Sequence, residues 1–284
     1  MTHSRDISPL TRLIGRLDRA AAGDIDQGMV PSSFPSIDRA MGGGFRRGEL
    51  IVLGADDSAG ASSLALAIAL RCAGRPLYLT GEMRPERAYE RALAMAARVP
   101  LETLRLGVIT EEERTRLATA AVALREQAPI VETLVDGGLA AVERAVVAAA
   151  GGSGSVPLVV VDPLEALLDR ATDHAEALGY ALLGLKRLAL RHDCALLVTA
   201  HLPQLDRTRL DRRPRLTDFG LAGAVGTHAD IVLGLYREEL YEVADLGVTG
   251  GAELLVLKLR DGARGYVDLY FDARYGRFED VLEG

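Results

Sequence analysis

The feature that most constrains this chain is the segment at residues 49–64, ELIVLGADDSAGASSL, where an apolar run gives way to small residues and then to a helix-forming stretch. The run at residues 50–53 lacks polar alternation, which is typical of a strand buried on both faces inside a parallel sheet. A loop after such a strand lies at the carboxyl edge of the sheet, where open α/β proteins bind ligands. The segment therefore predicts a strand, a loop and a helix at a ligand-binding edge.

The loop has the spacing of a phosphate-binding loop, G-x-x-x-x-G-K-S/T. In such loops backbone N–H groups and a helix N-terminus surround the phosphates, the Lys neutralises charge on the outer phosphates, and the hydroxyl binds Mg²⁺. Ala55 and Gly60 stand in the two Gly positions, and Ser62 supplies the hydroxyl. The candidate nucleotide-binding residues are therefore Ala55, Ser58, Ala59, Gly60, Ala61, Ser62 and Ser63.

The loop departs from this pattern in its charges. Ala61 occupies the Lys position, so the cation for the outer phosphates is missing. Asp56 and Asp57 add two negative charges where a triphosphate would lie, and this raises the electrostatic cost of binding one. From these residues alone, a nucleotide site and an ordinary strand-to-helix turn both remain open.

Composition and charge exclude several classes of protein. The 284 residues are 49% hydrophobic, which is enough for a substantial core. The net charge of −7 gives no global attraction to nucleic acid, so any such contact requires a local basic patch. Cys72 and Cys194 lack metal-ligand spacing and are expected to be buried thiols in a reducing compartment. Since the chain has no apolar signal core or membrane-length run, we expect a cytoplasmic protein without a membrane partner.

Strand and helix patterns alternate along most of the chain, which predicts an α/β fold with a mostly parallel sheet covered on both faces. The Asp261-Gly262 pair lies between two strand-like runs and predicts a hairpin, so the sheet is expected to end in antiparallel strands. Predicted strands lie at residues 50–53, 76–80, 130–132, 158–162 and 195–199, and predicted helices at 34–41, 62–73, 84–98, 110–127, 139–150 and 174–191.

A small appendage is expected to precede the main domain, which spans residues 34–284. Residues 9–22 carry Leu10, Leu13, Ile14 and Leu17 on one helical face and arginines on the other. Residues 23–33 are rich in Gly, Asp, Pro and Ser, as a linker is. Such a helix has to bury its apolar stripe, and it can do so on its own domain or on another copy of the chain.

Polar residues follow three of the predicted apolar strands at the edge that carries the loop. Asp162 ends the strand LVVVD, and a carboxylate there is suited to the water shell of Mg²⁺. Glu82 follows the second strand and is a candidate to orient or deprotonate an attacking water. His201 follows the strand ALLVT. Each of these residues can also be an ordinary solvated loop residue.

Two positively charged groups of residues are further candidates. Lys258 and Arg260 alternate on one face of a late strand, either as a solvated edge or as cations offered to a neighbouring subunit's phosphates. The long segment at residues 205–230 has a positive stripe suited to a phosphate backbone, although it lacks aromatic residues on which bases stack. A solvated loop paired with acidic neighbours is the alternative. The candidate DNA-binding residues are Arg207, Arg209, Arg212, Arg213 and Arg215.

A series of segments, in order, resembles the ATPase domain of the DnaB-type replicative helicases, within the RecA fold. They are FPSIDRAMGGGFRRGELIVLGA, GEM at residues 81–83, VVVDPLEALL, TAHLPQ, RPRLTDFG, HADIVLGLYREE, LKLRDG and YFDARYGRFED. The likeness extends over nearly the whole chain and implies a RecA-like P-loop NTPase fold. It also implies hexameric rings with ATP and Mg²⁺ sites between subunits and single-stranded DNA in the channel. The amphipathic helix would then pack on the adjacent subunit.

The resemblance assigns roles to matching positions. Glu82 matches the glutamate that activates water, and His201 falls where the family usually has a Gln that senses the phosphate. The arginine-rich segment through residue 226 overlaps the family's DNA-binding loop. The resemblance further implies that Ser62 and Asp162 bind Mg²⁺ and that Lys258 and Arg260 act in trans.

The chain also departs from the family pattern at several positions. Ala61 replaces the Lys, and residues 221–230 (LAGAVGTHAD) lack the usual acidic and Gln residues. We also expect the family's N-terminal primase-contacting domain to be missing. Loss of the Lys should slow hydrolysis by about a thousandfold or more. The change is either natural, in a chain that gives its cations to a competent helicase in a mixed ring, or engineered to trap ATP.

Three hypotheses follow. The first is a ring-forming, DnaB-like ATPase module that acts on DNA with impaired hydrolysis. The second is a non-hydrolysing pseudo-ATPase that regulates or loads a helicase. The third is a signalling or clock-type ATPase of the same fold, which would phosphorylate itself.

Overall fold

The computed structural model describes residues 8–23, 28–135, 138–151, 155–168, 174–220, 223–241 and 249–281. Its strands are β1 (Met29–Val30), β2 (Phe45–Arg46), β3 (Leu50–Ala55), β4 (Leu77–Thr80), β5 (Ile130–Thr133), β6 (Leu158–Asp162), β7 (Ala195–His201), β8 (Ile231–Tyr236), β9 (Gly251–Leu259), β10 (Gly265–Asp272) and β11 (Arg277–Asp280). Its α-helices are α1 (Pro9–Ala21), α2 (Pro35–Ala40), α3 (Ala61–Arg71), α4 (Pro85–Ala97), α5 (Leu101–Leu106), α6 (Glu111–Gln127), α7 (Leu139–Ala150), α8 (His174–His192) and α9 (Ala224–His228).

The main sheet has nine strands in the described part of the chain, in the order β11-β10-β9-β8-β3-β7-β6-β4-β5. The six strands from β8 to β5 in that order are parallel to one another. The three C-terminal strands add to them in antiparallel fashion, and β9 and β10 flank the predicted Asp261-Gly262 turn. The predicted mostly parallel sheet with antiparallel C-terminal strands is therefore confirmed.

The central strand β3 is buried along its whole length because helices cover both faces of the sheet. Ile51 and Leu53 belong to the cluster on the α3 side, whereas Leu50 and Val52 belong to the cluster on the α8 side. Complete burial of each such side chain stabilises the fold by about 1.5–3 kcal/mol. Burial on both faces explains why the strand sequence is continuously apolar.

Most predicted elements occur within a few residues of their expected bounds. A capping box opens α6, where Thr110 Oγ1 accepts from the Glu113 N–H at 3.2 Å and the Glu113 carboxylate accepts from the Thr110 N–H at 2.9 Å. The short helix α5 was not predicted, since six residues between Pro100 and Gly107 are too few to show periodicity.

The N-terminal appendage consists of α1 and the residues that follow it. None of the residues of α1 is buried against the described parts of the chain, and Leu10, Leu13, Ile14 and Leu17 are all exposed. The predicted linker at residues 23–33 is structured at its carboxyl end, because β1 pairs with β2 and both Val30 and Ser32 are buried. Residues 24–27 of that linker lie outside the described residues.

Burial raises the pKa of the Cys72 thiol to about 11 and that of Cys194 to about 12, as expected for buried thiols. Across the described ranges, we find no helix with the length and apolar character that a bilayer crossing requires.

Candidate active site

The loop between β3 and α3 has the backbone shape of an anion-binding loop. It turns through two residues with positive φ, Ser58 at 64° and Gly60 at 102°, and α3 begins directly afterwards at Ala61. A side chain at Gly60 would also bring its Cβ within 3.1 Å of the Phe278 ring, so glycine is required there for two reasons. The N-terminus of α3 therefore points its free N–H groups toward the space above the sheet.

The Asp162 carboxylate lies at the tip of β6, beside the first turn of α3. Its Oδ1 accepts hydrogen bonds from Ser62 Oγ at 2.8 Å and from Thr199 Oγ1 at 2.5 Å. Its Oδ2 accepts one from the Tyr78 hydroxyl at 2.5 Å. Burial and the adjacent carboxylate raise the pKa of Tyr78 well above its ordinary value, so the phenol remains a donor. Three hydroxyls thus fix a carboxylate that is 2% exposed.

Glu82 and His201 meet Asp162 at one cavity of about 370 Å³, which the phosphate loop also lines. The β4–β6 register, in which Thr80 pairs with Asp162, carries Glu82 to this edge. Glu82 itself is exposed, and the turn that presents it is held by the Thr80 hydroxyl, which accepts from the Glu82 N–H at 3.3 Å. The expected convergence of strand tips is therefore observed, while the catalytic roles of these residues stay predictions.

Several residues of this cavity were not identified from the sequence. Arg91 is the only Lys or Arg among the described residues that line it, and it projects from α4. No sequence pattern distinguished Arg91 from Arg84 and Arg87 of the same region. Tyr78 and Thr199 were also missed as partners of Asp162, because a hydroxyl within an apolar strand gives no motif signal.

The two acids of the loop have different environments. Arg207 donates to both carboxylate oxygens of Asp56, at 3.1 Å from Nε, and the Tyr241 hydroxyl donates at 2.9 Å. Burial opposes ionisation of Asp56, but these hydrogen bonds outweigh it and lower the pKa of Asp56 below its ordinary value. Asp57 is 77% exposed and lies 3.3 Å from Nδ1 of His201. Of the two acids, only Asp57 lacks an arginine at hydrogen-bonding distance.

Lys258 and Arg260 lie at the opposite edge of the sheet, since β9 runs antiparallel to β8 and Leu259 pairs with Ile231. The length of β8 places them roughly 15–20 Å from the carboxyl edge. Lys258 donates to the carbonyls of Gly226 at 2.7 Å and Ala229 at 2.5 Å. Arg260 Nε donates to Asp230 Oδ1 at 2.7 Å. Neither cation joins the cavity of its own chain.

The five candidate DNA-binding arginines each have an acidic or carbonyl partner in the structure, either within the segment or on other elements. Arg209 donates to Asp218 at 2.9 and 2.6 Å, and Arg213 donates to Glu253 at 2.6 and 2.5 Å. The remaining partners are Asp56 for Arg207, the Tyr241 carbonyl for Arg212 and Asp211 for Arg215. The alternative of a loop paired with acidic neighbours thus describes its geometry, and DNA binding by these residues stays a prediction.

Comparisons with known proteins give the same family as the sequence segments do. The family model described as the DnaB-like helicase C terminal domain matches residues 29–280. A replicative DNA helicase DnaB of Leifsonia xyli is 26% identical over 97% of this chain and 62% of its own length. The replicative DNA helicase DnaC of Bacillus subtilis is 26% identical over 89% of this chain and 56% of its own length. The chain thus spans little more than half of these relatives.

Two solved structures are similar in fold. One, described as an ATPase domain, superposes with a TM-score of 0.87 at 22% identity, over 98% of this chain and 100% of that one. A DnaB-like replicative helicase, solved in a study of its interactions with primase, gives a TM-score of 0.86 at 22% identity, over 98% of this chain and 68% of that one. The predicted family and the predicted RecA-like fold are confirmed.

Proposed function

Because the chain belongs to the DnaB-like helicase C-terminal domain family, we propose that it is a ring-forming ATPase module that acts on single-stranded DNA and hydrolyses ATP slowly or not at all. The observation that carries this proposal is the contact of 2.8 Å between Ser62 and Asp162 beside a loop whose Lys position holds Ala61. This contact supports a metal half in which Ser62 and Asp162 would hold Mg²⁺, while the loop has no Lys to provide the cation of the phosphate half.

The residues at this edge fit Mg²⁺ and the inner part of a nucleotide. A hydroxyl and a carboxylate are oxygen ligands of the kind that Mg²⁺ takes, usually with water and substrate phosphates completing the shell. Mg²⁺ would supply positive charge next to the phosphates. The Thr199 and Tyr78 hydroxyls orient the carboxylate, and Glu82 faces the same cavity as a candidate base for water.

The residues fit the outer phosphates less well. Arg91 is the only Lys or Arg of the described cavity lining, and it comes from α4 rather than from the loop. A cation on the loop itself stabilises charge that develops on the transferred phosphoryl group, and such a contact contributes about 4 kcal/mol, or roughly a thousandfold in rate. Binding without efficient turnover is the expected consequence of Ala61.

We further propose that Lys258 and Arg260 act on a neighbouring subunit. Both lie at the amino edge of the sheet, away from the cavity of their own chain, and Arg260 is 50% exposed. A ring in which one subunit's amino edge faces the next subunit's carboxyl edge would bring these cations to the phosphates. Such a ring is either homo-oligomeric or mixed with a competent helicase.

The decisive experiment restores the missing cation. Ala61→Lys should raise ATP turnover by about a thousandfold and make it respond to single-stranded DNA. Ala61→Met, which has comparable length without charge, is the matched control and should remain inactive. A folded Ala61→Lys protein that binds ATP but turns over no faster than the control would contradict the proposal.

The alternative is a non-hydrolysing module that regulates or loads a helicase. The exposed Asp57 beside His201 and the paired arginines favour it, because both reduce attraction for phosphates. Calorimetry with ATP and Mg²⁺ distinguishes the two functions. Absence of nucleotide binding in both the unchanged protein and Ala61→Lys would favour the regulator.

A further inference from the structure

The phosphate loop is tied directly to the arginine-rich segment through a single carboxylate. Asp56 accepts from Arg207 at both oxygens, from the Tyr241 hydroxyl at 2.9 Å and from the Asp57 N–H at 2.9 Å. The Asp56 side chain is only 9% exposed. Every oxygen of this carboxylate therefore has a donor, and the contact joins parts of the chain that are 151 positions apart.

The acceptor is held in place by a small aromatic scaffold. Tyr241 stacks on Tyr236 with ring centroids 5.6 Å apart and planes within 10°. The Arg212 guanidinium lies 5.2 Å from the Tyr241 ring centroid, and its Nη1 donates to the Tyr241 carbonyl at 3.0 Å. The Tyr241 hydroxyl is consequently fixed toward Asp56, so the ion pair with Arg207 is part of a packed unit.

Arg207 differs from its partner in its access to solvent. Its side chain is 58% exposed, and a second carboxylate, that of Asp57, comes within 3.9 Å of it. The two non-bridging oxygens of a phosphodiester can accept a pair of hydrogen bonds from a guanidinium, as the two oxygens of a carboxylate do. Arg207 and Arg215 are both exposed to an incoming phosphate backbone, but only for Arg207 must that backbone compete with the phosphate loop.

We propose that Arg207 is a phosphodiester-binding side chain and that Asp56 occupies it in the absence of nucleic acid. Single-stranded nucleic acid then binds this segment by drawing Arg207 away from the phosphate loop. This inference rests on the proposed function, since it takes single-stranded DNA as the ligand. Because coupling between two sites is reciprocal, whatever holds Asp56 against Arg207 weakens DNA binding, and bound DNA releases the loop.

The test measures binding of a fluorescent oligothymidylate by anisotropy over a salt series. Asp56→Asn removes the charge with little change in shape and should tighten binding at low salt by at least about threefold. Glu126→Gln, at an exposed position of α6, changes the net charge equally and should leave binding unaltered. Asp56→Ala serves as a second variant, and thermal unfolding checks that each protein is folded.

The gain must depend on Arg207. In an Arg207→Gln background, Asp56→Asn should produce no tightening, and the salt slope should fall by about 0.7 relative to Asp56→Asn alone. If the unchanged protein binds DNA but Asp56→Asn does not bind it more tightly, Asp56 does not block Arg207, and DNA binding stands. The same conclusion holds if Asp56→Asn tightens binding equally in the Arg207→Gln background. If folded variants fail to bind at any salt concentration, both the inference and the proposed DNA function are wrong.

Discussion

The two halves of the candidate site differ in how their charged groups are supported. In the metal half, Asp162 is buried and accepts hydrogen bonds from Ser62, Thr199 and Tyr78. In the phosphate half, Ala61 supplies no charge and the Asp57 carboxylate is 77% exposed. The difference shows that packing of the sheet fixes the backbone positions of the site. The charge of the site, in contrast, depends on single side chains, and these can be replaced without disturbing the fold.

The largest effect on stability should come from the metal half. Asp162→Ala leaves the buried Tyr78 and Thr199 hydroxyls without their acceptor, and each unsatisfied donor is unfavourable. We expect the free energy of unfolding to fall by about 3 kcal/mol. Urea unfolding measures it, with Asp162→Asn, which keeps an acceptor oxygen, as the control. A loss below about 1 kcal/mol would mean that the hydroxyls are satisfied in another way.

A smaller effect is expected where the phosphate half depends on its backbone. Gly60→Ala places a Cβ at a φ of 102° and within 3.1 Å of the Phe278 ring. Strain in the left-handed region should lower the free energy of unfolding by about 1–2 kcal/mol. Gly179→Ala, in the helix α8 with nothing within 4 Å of the added Cβ, is a suitable control and should be neutral or stabilising. Equal effects at the two sites would refute the requirement for glycine in the loop.

The ion pair of Asp56 should produce a modest dependence on pH. The folded pKa of Asp56 lies below its ordinary value, so its stabilising contribution is present above about pH 4 and is lost as pH falls through the folded pKa. Because Arg207 is half exposed, the loss should be under about 1 kcal/mol. Between pH 5 and pH 3, the free energy of unfolding should fall less steeply with decreasing pH for Asp56→Asn than for the unchanged protein. Parallel curves would exclude this contribution.

The smallest effect is expected at Asp57. Its carboxylate is 77% exposed, and its neighbour His201 is half exposed. Asp57→Asn should therefore change the free energy of unfolding by less than about 0.5 kcal/mol. The same variant should tighten binding of ATP and Mg²⁺ in Ala61→Lys if this acid repels phosphates, which calorimetry can measure. A stability loss comparable to that of Asp162→Ala would erase the contrast between the two halves.

The fold was largely predictable because buried parallel strands have continuous apolar sequences, and four of the predicted strands end at the same edge. The side-chain partners of the charged residues at that edge were not predictable. Arg207 pairs with Asp56 across 151 positions, and Arg213 pairs with Glu253 across 40. Local patterns report periodicity and spacing, whereas the choice of a charged partner depends on tertiary packing. For the same reason, Arg91 was missed, and the sequence left open whether the arginine-rich segment is a positive stripe or a loop paired with acidic neighbours.

The ladder between β4 and β6 also determines how the site is lost on heating. Thr80 is paired with Asp162, and one residue later the Gly81 N–H still donates to the Asp162 carbonyl at 2.9 Å. Glu82 follows immediately in an exposed turn, so the position of its backbone relative to Asp162 is fixed by these ladder hydrogen bonds. On heating, Glu82 and Asp162 should therefore keep their relative positions until the domain unfolds globally, and they should not separate at a lower temperature.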